Sequence, residues 1–302
     1  MKGIEDAVNI RARLYRAFED AEVSTDPEVR RRLLTFLVVG GGPTGVELAG
    51  AMGEIAHITL KRDFRSIHPE EARIILIEAG PRILPTFPER LSTAATRDLN
   101  RLGVEIHTSH FVIEIDNGGA SVKFNDQVSR LDAATVIWSA GVKPSPLGAF
   151  LVGDNREFLD RSGRVLVGPD LSVPGCPEIF VIGDLANFSH QTGSPLPGVA
   201  PVAMSEGRYV AHLIADRVRG RTTPAYRYLN KGNLAVIGRA SAVADFGWFR
   251  MTGYPAWLLW LFVHLMYLVE FDNRLLVFIQ WAWNYFTRNR SARLITYSVE
   301  QK

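Results

Sequence analysis

Residues 36–48 read FLVVGGGPTGVEL, an apolar run that ends in glycines and restarts with helical spacing. Gly40, Gly42 and Gly45 give the pattern G-x-G-x-x-G directly behind a strand. Gly40 permits a tight turn, Gly42 lets the backbone approach a pyrophosphate, and Gly45 lets the next helix pack on the strand. Pro43 and Thr44 open that helix, whose N-terminus favours negative charge. The stretch predicts a bound dinucleotide.

Working outward, Thr35–Val39 is read as a buried strand and residues 43–60 as a helix. A polar insert, KRDFRSIHPEEA (61–72), separates that helix from a second strand, Arg73–Glu78. A helix over 88–102 and a strand over Val104–Thr108 follow, then an antiparallel meander over 111–131 around Asn117-Gly118-Gly119. Residues 134–139 return as a strand. This order implies a doubly wound parallel sheet. Upstream, Asp26 caps a helix that begins at Pro27, and residues 1–22 form an amphipathic helix, with Ile4, Val8, Leu14, Tyr15 and Phe18 on one side. That charged stretch does not read as a secretory leader.

Glu78 ends the second strand, where an acid accepts hydrogen bonds from ribose hydroxyls and repels a 2′-phosphate, so NADH is favoured over NADPH. It follows Gly45 by 33 residues (78 minus 45), more than usual, and the insert accounts for the excess if it loops out. Glu47, in the helix's first turn, has two readings. It is either an acid–dipole contact worth about 0.3–1 kcal/mol or a catalytic group near the nicotinamide.

The 302 residues suffice for two domains, and 47% hydrophobic with 22% charged residues is ordinary for a folded chain. A net charge of +2 excludes a strongly electrostatic partner such as nucleic acid. Cys176 is the single cysteine, which excludes an internal disulfide and a C-x-x-C redox pair. From Gly141 the texture changes to short strands and many prolines. There EIFVIGDLAN (178–187) places a Gly-Asp pair at the end of an apolar strand, predicting a ligand site with a helix N-terminus beside it.

At this point a resemblance emerges. Residues 179–186 are similar to the flavin-binding Gly-Asp motif of the two-dinucleotide-domain flavoprotein reductases, and Trp138-Ser139-Ala140-Gly141 resembles their second signature. The segments LLTFLVVGGGPTGVELAG, RDFRSIHP, ILIEAGPRILP, LPGVAPVAMSEGRYVA, KGNLAVIGRASAVAD and RLLVFIQWAWNYFTRNRSARLI resemble type II NADH dehydrogenases. These are single-subunit, non-pumping NADH:quinone oxidoreductases. The resemblance covers nearly the whole chain. It implies hydride transfer from NADH to FAD and reduction of a quinone, chemistry that the cofactors carry and the protein positions. Carried over, Gly183 and Asp184 bind the flavin, with Ala140 and Gly141 at the crossing between domains. Ala200 and Val202 belong to the flavin-lining segment APVAMSEG, in which Ser205 and Glu206 replace the family's glutamine pair facing flavin and quinone. The family's opening Gly-rich unit, which binds the ADP half of FAD, has no counterpart here, so the chain is expected to be the C-terminal portion of such an enzyme.

Five of the six tryptophans lie from residue 248 onward. Residues 254–271 hold only His264 and Glu270 as chargeable groups, and after Asp272-Asn273-Arg274 a second apolar run leads to Arg288, Arg290 and Arg293. About 20 apolar residues are needed to span a bilayer. The tail is therefore read as two helices in the membrane interface, ahead of a dimer contact or a true span. A homodimer on the cytoplasmic face of the cell membrane is expected.

The expected organisation is α/β. Connecting helices (1–34) precede a Rossmann-like NADH domain with a β-meander (35–140), the remainder of a flavin-binding domain (141–247) and C-terminal amphipathic membrane helices (248–302). Three weaker patterns are set aside. Ala203-x-Ser205-x-Gly207 lacks the strand a nucleophile elbow needs. His107 and His110 fall on a strand rather than one helical face. Arg30-Arg31-Arg32 is a solvated helix end, since seven acids balance seven bases before residue 35. Two other functions are carried: a soluble flavin reductase serving another carrier, and an NADH-binding membrane module without turnover.

Overall fold

The computed structural model describes residues 3–141, 143–268 and 271–287. Two compact units divide the chain: Met1–Ala140 with Gly232–Lys302, and Gly141–Lys231.

In the first unit, α1 (Ile4–Val23) and α2 (Pro27–Leu33) lead into β1 (Thr35–Val39), α3 (Pro43–Glu54), β2 (Arg73–Glu78), α4 (Glu89–Arg101) and β3 (Val104–Thr108). Asp26 caps α2 as expected, its carboxylate accepting from the Glu28 and Val29 amides. The meander β4 (Phe111–Asp116), β5 (Gly119–Phe124) and β6 (Gln127–Asp132) precedes β7 (Thr135–Trp138). The main sheet runs β3-β2-β1-β7, with each neighbouring pair parallel. Every residue of β1 is buried because its alternating side chains enter two cores. Phe36 and Val38 join the cluster of α1, α3 and α4, whereas Leu37 joins Ile75, Ile77, Ala120 and Val122 under the meander. A continuous apolar strand is what a sheet covered on both faces requires.

The structure differs locally from the sequence reading at two places. The helix expected over 43–60 is α-helical only to Glu54 and continues as a π-helical turn, Ile55–Thr59. The polar insert does not loop free. Glu22 on α1 accepts from the backbone amides of Arg65, Ser66 and Ile67 at 3.0–3.1 Å, Ile67 is buried, and Phe64 stacks on Phe18 at 5.9 Å.

The second unit contains α5 (Leu147–Val152), β8 (Val165–Leu166), β9 (Ser172–Val173), β10 (Cys176–Phe180), β11 (Ala186–Asn187) and α6 (Ala200–Val218). β8 pairs with β11 in parallel and β9 with β10 antiparallel, around a core that includes Val165, Leu171, Phe188 and Tyr226.

The chain then returns to the first unit as β12 (Asn233–Gly238), β13 (Ser241–Asp245), β14 (Arg250–Gly253), α7 (Tyr254–Tyr267) and α8 (Phe271–Thr287). The second unit thus ends ahead of the boundary expected at 247, because β12 is seated on α3. Gly50 leaves no room for a side chain there, since a Cβ would lie 1.8 Å from the Ile237 carbonyl oxygen. On either side of that contact, Glu47 accepts from the Val236 amide at 3.2 Å and Glu54 from the Arg239 amide.

The tail also differs from expectation. α7 is apolar around its circumference rather than amphipathic, reading YPAWLLWLFVHLMY. It packs on α8 through Trp260–Trp281 and Trp257–Tyr285, with ring centroids 5.7 and 5.2 Å apart. Among the described residues no helix is long and apolar enough to cross a membrane. Glu270, Arg288, Arg290 and Arg293 lie outside the described residues.

Candidate active site

The strand order reverses between β1 and β7, the place in an open parallel sheet where ligands collect. β1 ends there in Gly40, whose φ of +111° only glycine adopts freely, and a Cβ would meet the Ala140 backbone at 2.7 Å. Gly45 is tighter still, since its Cβ would sit 1.8 Å from the Gly40 oxygen. The Ser139 hydroxyl closes this knot by donating to the Val39 carbonyl at 2.7 Å. Gly42 caps α3, and Pro43 and Thr44 open it exposed to solvent. Around Gly42 an added Cβ would meet nothing within 4 Å. Strand, glycine turn and helix start thus follow one another in the order that the glycine spacing predicted.

Glu78 faces the glycine turn in a way that spacing does not reveal. Its carboxylate accepts from the Gly41 amide at 2.5 Å and from the Gly80 amide at 2.7 Å. A Cβ on Gly41 would strike the Glu78 side chain at 2.9 Å. Gly41 and Ser139 thus belong to this knot although the G-x-G-x-x-G pattern passes over both; the middle glycine of GGG was the available signal for the first and the Trp138–Gly141 segment for the second.

Glu47 lies half-buried, one turn into α3. Burial raises its carboxyl to about 7, against the weaker opposing effect of the Val236 amide. A group raised in the folded state adds stability that is complete below the unfolded value near 4.5 and lost as pH rises through about 7. Glu47→Gln retains an acceptor and removes the charge. It is therefore expected to gain on the parent as pH rises, by about 2 kcal/mol more at pH 8.5 than at pH 5, reduced from the full shift for partial exposure. Thermal unfolding at the two pH values measures this, and a gain that is equal at both would refute the assignment.

The second unit holds a cavity of about 190 Å³ whose lining includes Arg164, Gly183, Asp184, Gly198, Val202 and Glu206. The Gly-Asp pair is not at a helix N-terminus as expected. β10 stops at Phe180, and Gly183–Leu185 make a single 3-10 turn, with Gly183 at φ +67°. Glu206 is 1% exposed and accepts from the Gly183 amide at 2.6 Å. Burial raises its carboxyl above the usual range, the Gly183 hydrogen bond opposes this, and Asp184 adds to it. Arg164 is engaged by Asp160 at 2.7 Å. Burial alone would raise Asp160, but hydrogen bonds from Ser162, Arg164 and Asn187 outweigh it and hold this carboxyl well below the usual range.

The structure brings Gly183, Asp184, Val202 and Glu206 together. Ala200 is an exposed first residue of α6, and half-buried Ser205 is not among the cavity's lining. Gly141 begins the second unit at φ +66°, with nothing within 4 Å of an added Cβ. His107 and His110 have ring centroids 5.1 Å apart, and no cluster of three metal-ligating groups occurs among the described residues.

Comparison with known proteins gives the family. The profile of the pyridine nucleotide-disulphide oxidoreductase family matches residues 3–207, and that of the NDH2 C-terminal domain matches residues 230–289. Type II NADH:quinone oxidoreductase Ndh of Mycobacterium tuberculosis is 44% identical over 301 residues, covering 98% of this chain and 64% of its own length. NdhA of the same organism is 43% identical, with 98% and 63% covered. This chain therefore spans less than two thirds of those curated relatives. The structure of NDH2 from Plasmodium falciparum in complex with NADH shares the fold with a TM-score of 0.86, at 20% identity, over 98% of this chain and 74% of that one. With both profiles matching in order along one chain, the protein belongs to the pyridine nucleotide-disulphide oxidoreductase family and carries a segment that matches the NDH2 C-terminal domain.

Proposed function

We propose that this chain carries the NADH side and part of the flavin side of an NADH:quinone oxidoreductase that works at a membrane surface. The observation that carries the reading is the steric knot of Gly40, Gly45 and Ala140, with a carboxylate fixed beside it. The knot holds the α3 N-terminus where a pyrophosphate would rest. Glu78, already oriented by two amides, would receive ribose hydroxyls and exclude a 2′-phosphate, which favours NADH.

Bound FAD would supply a two-electron acceptor for NADH and a donor for a quinone. Gly183 and Asp184 would hold its polar chain, and Val202 would supply an apolar wall. Ala140, Gly141 and Ala200 are assigned to the same cofactor. Glu47, with its carboxyl raised to about 7, can hold or release a proton near neutrality. Glu206 is a second raised carboxyl, set beside Asp184. With Ser205 it is assigned to the quinone side. The exposed aromatic tail supports a membrane-surface partner, and we assign the enzyme to the cytoplasmic face and as a homodimer.

The test is an absorption and NADH titration of the purified chain in mild detergent, supplied with FAD. Asp184→Ala is expected to lose flavin while still binding NADH. Glu78→Ala should keep flavin and bind NADH roughly tenfold more weakly or worse, because two amides lose their acceptor. Flavin retained at full occupancy by Asp184→Ala would show that the flavin site lies elsewhere.

A further inference from the structure

The turn between β13 and β14 presents an indole to solvent. Trp248 is 89% exposed and Phe249 46%, with ring centroids 5.6 Å apart. The turn is firmly built. The Phe246 amide donates to the Phe249 carbonyl at 2.9 Å, and the Trp248 amide to the Phe246 carbonyl at 3.0 Å. Asp245 accepts from the Gly247 amide at 3.1 Å and from Arg250 at 3.2 Å. A mobile loop hides such a ring by folding over it. This turn holds the ring out.

The turn adjoins α7. Phe246 and Met251 share one apolar cluster with Trp257 and Trp260, above Ala242, Ala244 and Ala256. Leu258, Phe262 and Met266 on α7 and Leu276, Ile279 and Trp283 on α8 are exposed nearby in the same unit. That much apolar surface marks an interaction site. The indole stands almost wholly clear of the protein, and a protein partner would need a pocket shaped to receive it. A bilayer needs none, and its headgroup layer is where tryptophan partitions best.

We propose that the β13–β14 turn is a third membrane contact, with Trp248 and Phe249 entering the headgroup layer beside α7 and α8. This inference rests on the membrane reading above and adds a point of attachment outside the two helices. Two helices alone leave the unit free to rock about their common axis. A third point fixes its tilt.

The full chain is mixed with vesicles of phosphatidylcholine and phosphatidylglycerol in equal parts, and its partition is measured by flotation. Combining Trp248→Ser with Phe249→Ser is expected to lower the partition coefficient by about tenfold. Both side chains are exposed, so the fold is unaffected. A nitroxide is then placed by Trp248→Cys in a Cys176→Ser background. It should become accessible to oxygen in the lipid and shielded from an aqueous nickel reagent when vesicles are added. Unchanged partition with a water-exposed nitroxide, in a chain that still binds vesicles, overturns the inference and leaves the membrane reading standing. A parent chain that ignores vesicles overturns both. A nitroxide shielded by self-association without lipid would assign the turn to a second copy of the chain.

Discussion

A Gly50→Ala chain is expected to keep its four-stranded parallel sheet and to loosen the β12–β13 hairpin from it. The added methyl would lie 1.8 Å from the Ile237 carbonyl oxygen, far inside contact distance, and the obstruction is backbone rather than a yielding side chain. Helix and strand must part, and the Glu47–Val236 and Glu54–Arg239 hydrogen bonds that bracket the contact part with them. Glu54 is 5% exposed, so the hydrogen bond it loses is a buried one. Overpacking and two lost hydrogen bonds together should cost roughly 3–4 kcal/mol, near the upper end for single substitutions. Amide exchange reads this locally, with protection lost at 233–238 and kept on β1 and β2. Unchanged protection of Val236 and Ile237 would mean that the seat is not what holds the hairpin.

Gly45→Val is expected to abolish NADH binding under ordinary assay conditions, a loss of at least about a hundredfold, or about 3 kcal/mol. Here the new side chain meets the Gly40 oxygen at 1.8 Å and the Ser139 hydroxyl oxygen at 2.7 Å. Both belong to the knot that sets where α3 begins. The helix can accept valine only by withdrawing from β1, which carries its N-terminal amides away from the phosphates. Titration by NADH fluorescence measures the loss, with circular dichroism checking that the sheet survives. A variant binding NADH within a few-fold of the parent would show that the glycine turn tolerates a displaced helix.

The sheet was legible because β1 and β2 are apolar without interruption and the Asn117-Gly118 turn is unambiguous. The glycine turn was legible because Gly45 is forced by the Gly40 backbone only five positions before it, whereas the contact that forces Gly40 comes from Ala140, 100 positions on (140 minus 40). What escaped the sequence depends on residues far apart in it. Glu22 reads as one more surface acid until its carboxylate is seen gathering three amides of the insert, more than 40 positions away. Gly50 reads as a mild weakness within a helix, and only the return of Ile237 explains it. The Gly-Asp pair was found by pattern, yet its setting was misjudged, because a 3-10 turn and an α-helix begin with the same residues. α7 defeated periodicity because it is apolar on all sides.

The seating of β12 on α3 also sets a timetable. Gly50 is made 182 residues before Gly232 (232 minus 50), and the whole of the second unit is synthesised between them. At ordinary ribosomal speeds that interval is about 10–35 s. Throughout it, the nascent nucleotide-binding unit shows a bare helical face with two carboxylates and a backbone groove already cut for a strand. The groove can be filled correctly only by a segment that does not yet exist, so the wait is the step at which a foreign strand would compete for it.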